Sequence, residues 1–196
     1  MSKKLAFIVV VLASLTAVAC SMQKGPAQAA IAAAETAFNS AKPEAEKFVP
    51  DQVKGVEDAI ATAKDSFAKG DYQAALTAAQ AIPAQVTALT AAAAARKGEL
   101  TKSWAGLSEG LPKVVEAIQS RVDILAKARR LPADMDKAKL ASAQDGLKTV
   151  TDTWAQAKTA FDAGNLPDAV AKAGTAKAKA AEVLGLLGMP VPAGLQ

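Results

Sequence analysis

The chain has 196 residues, with 23 basic and 19 acidic side chains and a formal net charge of +4. The surplus forms no dense basic cluster, which argues against a nucleic-acid partner. Histidine is absent, which removes the commonest general base and most zinc and haem ligation. About half of the apolar residues are alanine and 4% of the chain is aromatic, so the composition predicts helices around a narrow core.

The first nineteen residues have the three parts of a secretory signal. Lys3 and Lys4 precede an apolar stretch, which is followed by the small residues 17–19. The apolar stretch is shorter than the roughly 20 residues that span a bilayer. We therefore predict that residues 1–19 are a signal peptide, absent from the mature protein. Loss of its two lysines lowers the net charge to +2.

Cys20, the one cysteine of the sequence, follows this segment directly. The stretch Ala17-Val18-Ala19-Cys20 resembles the lipobox of bacterial lipoproteins, although Ala17 stands where that family prefers leucine. The resemblance implies that the thiol carries a diacylglycerol, as a lipid anchor followed by a spacer over 20–25. Ser21 in the next position implies an outer-membrane lipoprotein that faces the periplasm. The alternative is an ordinary signal-peptidase site with a cysteine beside it by chance.

Beyond the spacer, large apolar residues recur in steps of three and four, as on the buried stripe of a helix. The two longest stripes are Val49, Val53, Val56, Ile60, Ala63, Phe67 and Leu140, Ala143, Leu147, Val150, Trp154, Ala157, Phe161. This spacing predicts an all-α fold, an elongated antiparallel bundle resembling a coiled coil. Proline and glycine divide it into six predicted helices, 26–41, 44–69, 71–108, 112–130, 134–163 and 166–187, with Pro83 kinking or interrupting the third.

The sequence also contains an apparent internal duplication. Residues 51–79 align with 145–173 at an offset of 94, with 11 of 29 positions identical. Each copy predicts a helix, a tight turn at Gly70 or Gly164, and a second helix. We therefore predict two helical subdomains, 26–110 and 111–189, followed by a tail over 190–196.

One further resemblance covers residues 26–95. An alanine-rich helix, the stretch Phe48-Val49-Pro50 and the turn SFAKGDY at 66–72 together resemble an uncharacterised helical lipoprotein domain of bacterial envelopes. That domain is sometimes found ahead of peptidoglycan-binding OmpA-like domains. The resemblance implies an envelope location and a helical fold, and it brings no assigned activity.

Five residues are candidates for a partner surface. Trp104 and Trp154 could form a stacking platform for a sugar or peptidoglycan stem, but aromatics in stripe phase usually fill a core. Lys172, Lys177 and Lys179 could meet lipopolysaccharide phosphates or form a solvated face. The apolar group between Leu184 and Val191 predicts a tail that folds back over the bundle or presents a segment to a partner.

These observations predict a non-enzymatic, lipid-anchored periplasmic protein that acts as a helical scaffold or protein-interaction module. Its expected partners are the membrane, through the N-terminal lipid, and a protein or other envelope component. No catalytic residue, cofactor or metal site is predicted. Two alternatives stay open: a carrier of a lipid or hydrophobic ligand between helices, and an amphipathic binder of the membrane surface.

Overall fold

The structure is a computed structural model that describes residues 22–192. These residues form five α-helices and no strand, which confirms the all-α prediction. The helices are α1 (Lys24–Phe48), α2 (Pro50–Ala68), α3 (Tyr72–Lys127), α4 (Lys137–Asp162) and α5 (Leu166–Leu186). The predicted signal peptide, Cys20 and residues 193–196 lie outside the described part.

Prolines do not end helices where the sequence predicts, so one boundary moves and two of the six predicted helices join into one. Helix α1 continues through Pro43 to Phe48, and the break falls at Val49 (φ −141°, ψ 53°), directly before Pro50. The carbonyl that Pro43 leaves without a backbone donor belongs to Asn39, whose exposure lets water satisfy it. Burial of Phe48 then favours continuation of the helix.

Helix α3 has no interruption at Pro83 or between residues 108 and 112, where the sequence analysis placed a kink and a break. Its buried stripe continues across Pro112 in steps of three and four, through Leu111, Val114, Ile118, Val122 and Leu125. If α3 were interrupted between residues 108 and 112, the chain would change direction there and these side chains would leave the core. Packing therefore outweighs the local preference of glycine and proline.

The chain divides into two compact units, Met1–Arg96 and Lys97–Gln196. The division falls within α3, whereas the sequence analysis placed the subdomain boundary between 110 and 111. Each unit has its own hydrophobic core of buried side chains.

In the first unit, α1 and α2 pack with the first part of α3. Two ion pairs join α1 to α2: Lys42 Nζ lies 2.7 Å from Glu57 Oε1, and Lys64 Nζ lies 2.6 Å from Glu35 Oε1. Residue numbers rise on one helix as they fall on the other, so the two helices are antiparallel. The core consists of Ala27, Ile31, Ala34, Phe38, Ala45, Val53, Val56, Ile60, Ala63, Ala75, Ala79, Ile82, Val86 and Leu89.

In the second unit, α4 and α5 form a hairpin that packs with the rest of α3. The core includes Trp104, Leu111, Ile118, Val150, Trp154, Val183 and Leu184. Beyond α5, Leu187 is 2% exposed, and Met189 and Val191 pack against the same core. Of the two alternatives for the apolar tail, the structure thus shows packing onto the bundle, as far as residue 192.

The two tight turns have the same hydrogen bonds. Gly70 (φ 81°) and Gly164 (φ 73°) follow α2 and α4. Asp71 N donates to Ser66 O at 3.0 Å, and Asn165 N donates to Ala160 O at 2.8 Å. Each residue also caps the next helix, as Asp71 Oδ1 accepts from Ala74 N and Asn165 Oδ1 accepts from Asp168 N. The left-handed glycine and the cap together reverse the chain within the three residues that separate the helices.

We expect Gly70→Ala to lower the free energy of unfolding by about 1–2 kcal/mol, because alanine is strained at this φ. A Cβ there would meet no atom within 4 Å, so the cost is a backbone cost alone. Gly55→Ala within α2 is the matched control, since its Cβ also meets nothing and helix propensity should make it stabilising. Urea denaturation followed by circular dichroism measures both, and equal shifts of the same sign would contradict the prediction.

Candidate functional site

The two tryptophans lie in the core of the second unit. Trp104 on α3 and Trp154 on α4 are each 9% exposed. Their ring centroids are 5.4 Å apart, and Trp104 also stacks on Phe161 at 4.4 Å with an interplanar angle of 9°. Phe161, which is 43% exposed, is the member of this stack that meets solvent. The structure therefore places both tryptophans as core residues and brings them into contact.

The lysines proposed as a partner surface lie on α5. Lys172 forms an ion pair with Asp168, and Lys179 Nζ lies 2.6 Å from Glu182 Oε2. Lys177 is half-buried on the same helix. The charges of Lys172 and Lys179 are thus compensated by carboxylates of their own helix.

Carboxylates of the helices are paired with lysines in the same way. Lys42 donates a hydrogen bond to Glu57. This hydrogen bond, and the negative charges of Glu57 and Glu46, raise the pKa of the Lys42 ammonium above its ordinary value. Lys54 pairs with Asp58, and Lys148 pairs with Asp152, and in both the hydrogen bond raises the lysine pKa. Across residues 22–192, acidic, histidine and cysteine side chains nowhere gather in threes as a metal site would require.

The second unit has an apolar cavity of about 350 Å³ that is partly open to solvent. It lies between α3, the end of α5 and the tail. Lys113 is its charged lining residue, and Lys113 Nζ is 3.2 Å from Glu109 Oε1. The other lining residues are Gly106, Leu107, Gly110, Leu111, Val114, Ala117, Leu184, Met189, Pro190 and Pro192.

Two glycines of α3 shape this cavity. Gly106 and Gly110 are one turn apart on the helix, and a Cβ at either position would meet no atom within 4 Å. Packing therefore does not require glycine at these positions. Their missing side chains leave space that alanine or leucine would occupy.

An arginine lies one helical turn beyond the cavity lining. Arg121 follows Ala117 by four residues on α3, so the two share a face. The Nε of Arg121 is buried without a hydrogen-bond partner in the described structure. Neither Arg121 nor the two glycines was a candidate from the sequence, which placed Gly106 inside the predicted helix 71–108 and Gly110 in the break that follows it. Their spacing of four residues is the signal that could have identified them as one face of a continuous helix.

Comparisons with known proteins identify no relative. Neither the family models, nor the curated proteins, nor the solved structures contain a match to this chain. Over residues 22–192, no helix is both long and apolar enough to cross a membrane.

Proposed function

We propose that this chain is a non-enzymatic, lipid-anchored protein of the bacterial envelope that acts as a helical scaffold or interaction module in the periplasm. The observation that carries the proposal is the position of Cys20, the sole cysteine, directly after an apolar signal-like segment and the small residues 17–19. Two or more acyl chains on this residue would hold the protein at the membrane stably.

The start of the fold supports a location close to the membrane. Helix α1 begins at Lys24, so residues 21–23 separate it from Cys20. Three extended residues span about 11 Å at most. A lipid on Cys20 would thus hold the first unit next to the headgroups, and we propose that recognition uses the helix surfaces.

A non-enzymatic role is supported by how the polar side chains are used. The acidic residues discussed above form ion pairs with lysines on helix surfaces, as Glu35, Glu57 and Asp58 do. Exposed pairs of this kind contribute little to stability and keep the helices soluble. Lys172, Lys177 and Lys179 of α5 are the proposed contact for an anionic envelope component, which would have to compete with Asp168 for Lys172 and with Glu182 for Lys179.

We also infer that the two units derive from one duplicated helical hairpin. The offset of 94 relates the two turns with their matching hydrogen bonds, and it relates the ion pair of Lys54 and Asp58 to that of Lys148 and Asp152. It also relates buried positions, among them Val53 with Leu147, Val56 with Val150, Ala63 with Ala157, Ala75 with Ala169 and Ala79 with Ala173. Agreement in burial, capping and ion pairing supports common descent more strongly than identities among alanines.

The anchor is tested by Cys20→Ser in the full chain, expressed in a Gram-negative bacterium. We expect the wild type in the outer-membrane fraction, with the mass of acyl groups on its N-terminal peptide, and the variant in the soluble periplasmic fraction. Ser21→Ala is the matched control, since it changes the neighbour and retains the thiol, and it should stay with the membrane. A wild-type protein recovered with a free thiol in the soluble fraction would refute the anchor.

A further inference from the structure

We propose that the second unit binds a single-chain amphiphile with an anionic head, with its hydrocarbon chain in the cavity beside Gly106 and Gly110 and its head at the Arg121 guanidinium. Such binding corresponds to the alternative function of a carrier for a lipid or hydrophobic ligand, and it specifies the chemical class of that ligand. It does not depend on acylation of Cys20.

The cavity lining selects a hydrocarbon. Its volume of about 350 Å³ falls in the range of about 300–1,000 Å³ that is typical of small-molecule sites. Apart from Lys113, its lining side chains are apolar or absent. A sugar or nucleotide would lose the hydration of its hydroxyl groups there without gaining hydrogen-bond partners. An acyl chain has no such groups to desolvate.

The glycines of α3 fit the same conclusion. Glycine is the poorest helix former after proline, yet Gly106 and Gly110 lie inside a continuous helix. Apart from the adjacent residues and the backbone of the same helical turns, no atom lies within 4 Å of a Cβ at either position, so packing does not demand glycine there. The two positions instead keep the floor of the cavity open.

Arg121 supplies the charge that complements an anionic head. Long side chains on a helix lean toward its N-terminus, which directs the Arg121 stem over the turn that contains Ala117, a lining residue. The Arg121 side chain is half-buried, its Nε makes no hydrogen bond within the described residues, and a guanidinium binds carboxylate or phosphate oxygens through paired N–H donors. Asp123, two residues further along α3, accepts a hydrogen bond from Gln119.

Lys113 is the weaker candidate for the head. Its side chain is 72% exposed and its ammonium pairs with Glu109. An exposed pair of this kind adds little to binding. We therefore place the head at Arg121 and the free end of the chain toward Gly106 and Leu107, near Trp104.

The test uses tryptophan fluorescence of the full chain carrying Cys20→Ser, so that no lipid of its own competes. The probes are palmitic acid brominated near its methyl end, the correspondingly brominated hexadecanol, and a lysophosphatidic acid with the same chain. Bromine quenches tryptophan at short range, and Trp104 precedes Leu107 by one helical turn. We expect saturable quenching by the two anionic probes, and the tighter of them identifies the head as carboxylate or phosphate.

Two leucine variants test the cavity. Gly110→Leu should fill it and weaken quenching by both anionic probes about tenfold or more, with a melting temperature at or above that of the parent. Gly98→Leu is the matched control, because Gly98 also lies in α3, meets no atom within 4 Å of a Cβ, and does not line the cavity. It should leave the affinity within about twofold. Equal effects of the two variants would overturn the cavity site.

Arg121→Gln tests the head. Loss of a charge-assisted hydrogen bond should weaken the binding of the anionic probes about tenfold or more. The uncharged alcohol should bind parent and variant alike. Lys102→Gln, which removes an exposed charge from α3 outside the cavity lining, should leave the binding of all three probes unchanged. An equal loss for acid and alcohol would assign Arg121 a structural role and refute the proposed head contact. The absence of saturable quenching by either anionic probe would overturn the proposal as a whole, whatever the result for the membrane anchor.

Discussion

Replacing Trp104 by alanine should lower the free energy of unfolding by about 3–5 kcal/mol, the range for deletion of a large buried aromatic. The indole lies between Trp154 and Phe161, with centroid distances of 5.4 and 4.4 Å. Its removal leaves a cavity between α3 and α4 and ends both ring contacts, each worth about 1 kcal/mol beyond the buried area. Urea denaturation of the full chain, followed by far-ultraviolet circular dichroism, measures the change.

Phe161→Ala is the matched control for this prediction. Its ring ends the same stack but is 43% exposed, so its removal forms less of a cavity. We expect a cost of about 1 kcal/mol. If Trp104→Ala cost no more than Phe161→Ala, the indole would not be a core residue, and the alternative of a stacking platform for a sugar would be favoured.

The buried stripes could be predicted from the sequence because their spacing follows directly from helix geometry. Val53, Val56 and Ile60 in the first unit are all buried, as are Val150 and Trp154 in the second. Steps of three and four keep such side chains on one face, whichever neighbour covers that face. The two turns could also be predicted from the sequence, because a glycine followed by Asp71 or Asn165 combines a helix end with a cap for the next helix.

The prolines show where sequence reasoning failed. Pro43 and Pro112 were predicted to separate helices, but both lie within them. A proline disfavours its helix locally, whereas the benefit of continuation comes from side chains one turn later, such as Phe48 and Val114, which pack on other helices. That benefit becomes visible only when the partners of those side chains are known.

The cavity could not be predicted from the sequence, and the reason is related to that for the prolines. Its lining joins Gly106 and Gly110 on α3 to Leu184 and Met189, residues that are far apart in sequence. Phe161 shows the same limit, since it occupies a stripe position but lies one residue before the end of α4, where cover by neighbouring helices is incomplete. Periodicity assigns a side chain to a face and does not determine how completely that face is covered.

Gly146→Ala should lower the free energy of unfolding by about 1–3 kcal/mol, although alanine is the better helix former by about 1 kcal/mol. A Cβ on Gly146 of α4 would lie 2.5 Å from Val183 Cγ2 on α5, closer than real Cβ contacts allow. Val183 is fully buried, and a β-branched side chain has few alternative rotamers, so the helices themselves would have to separate.

Gly174→Ala on α5 separates this steric effect from helix propensity. A Cβ at Gly174 meets no atom within 4 Å, so the variant should raise the free energy of unfolding by about 0.5–1 kcal/mol. Val183→Ala removes the methyl group that a Cβ on residue 146 would strike. Combining it with Gly146→Ala should therefore cost less than the two single costs together, by about 1–2 kcal/mol in a double-mutant cycle. Additive costs, or a Gly146→Ala variant as stable as Gly174→Ala, would show that α4 and α5 do not approach each other as closely as the glycine permits.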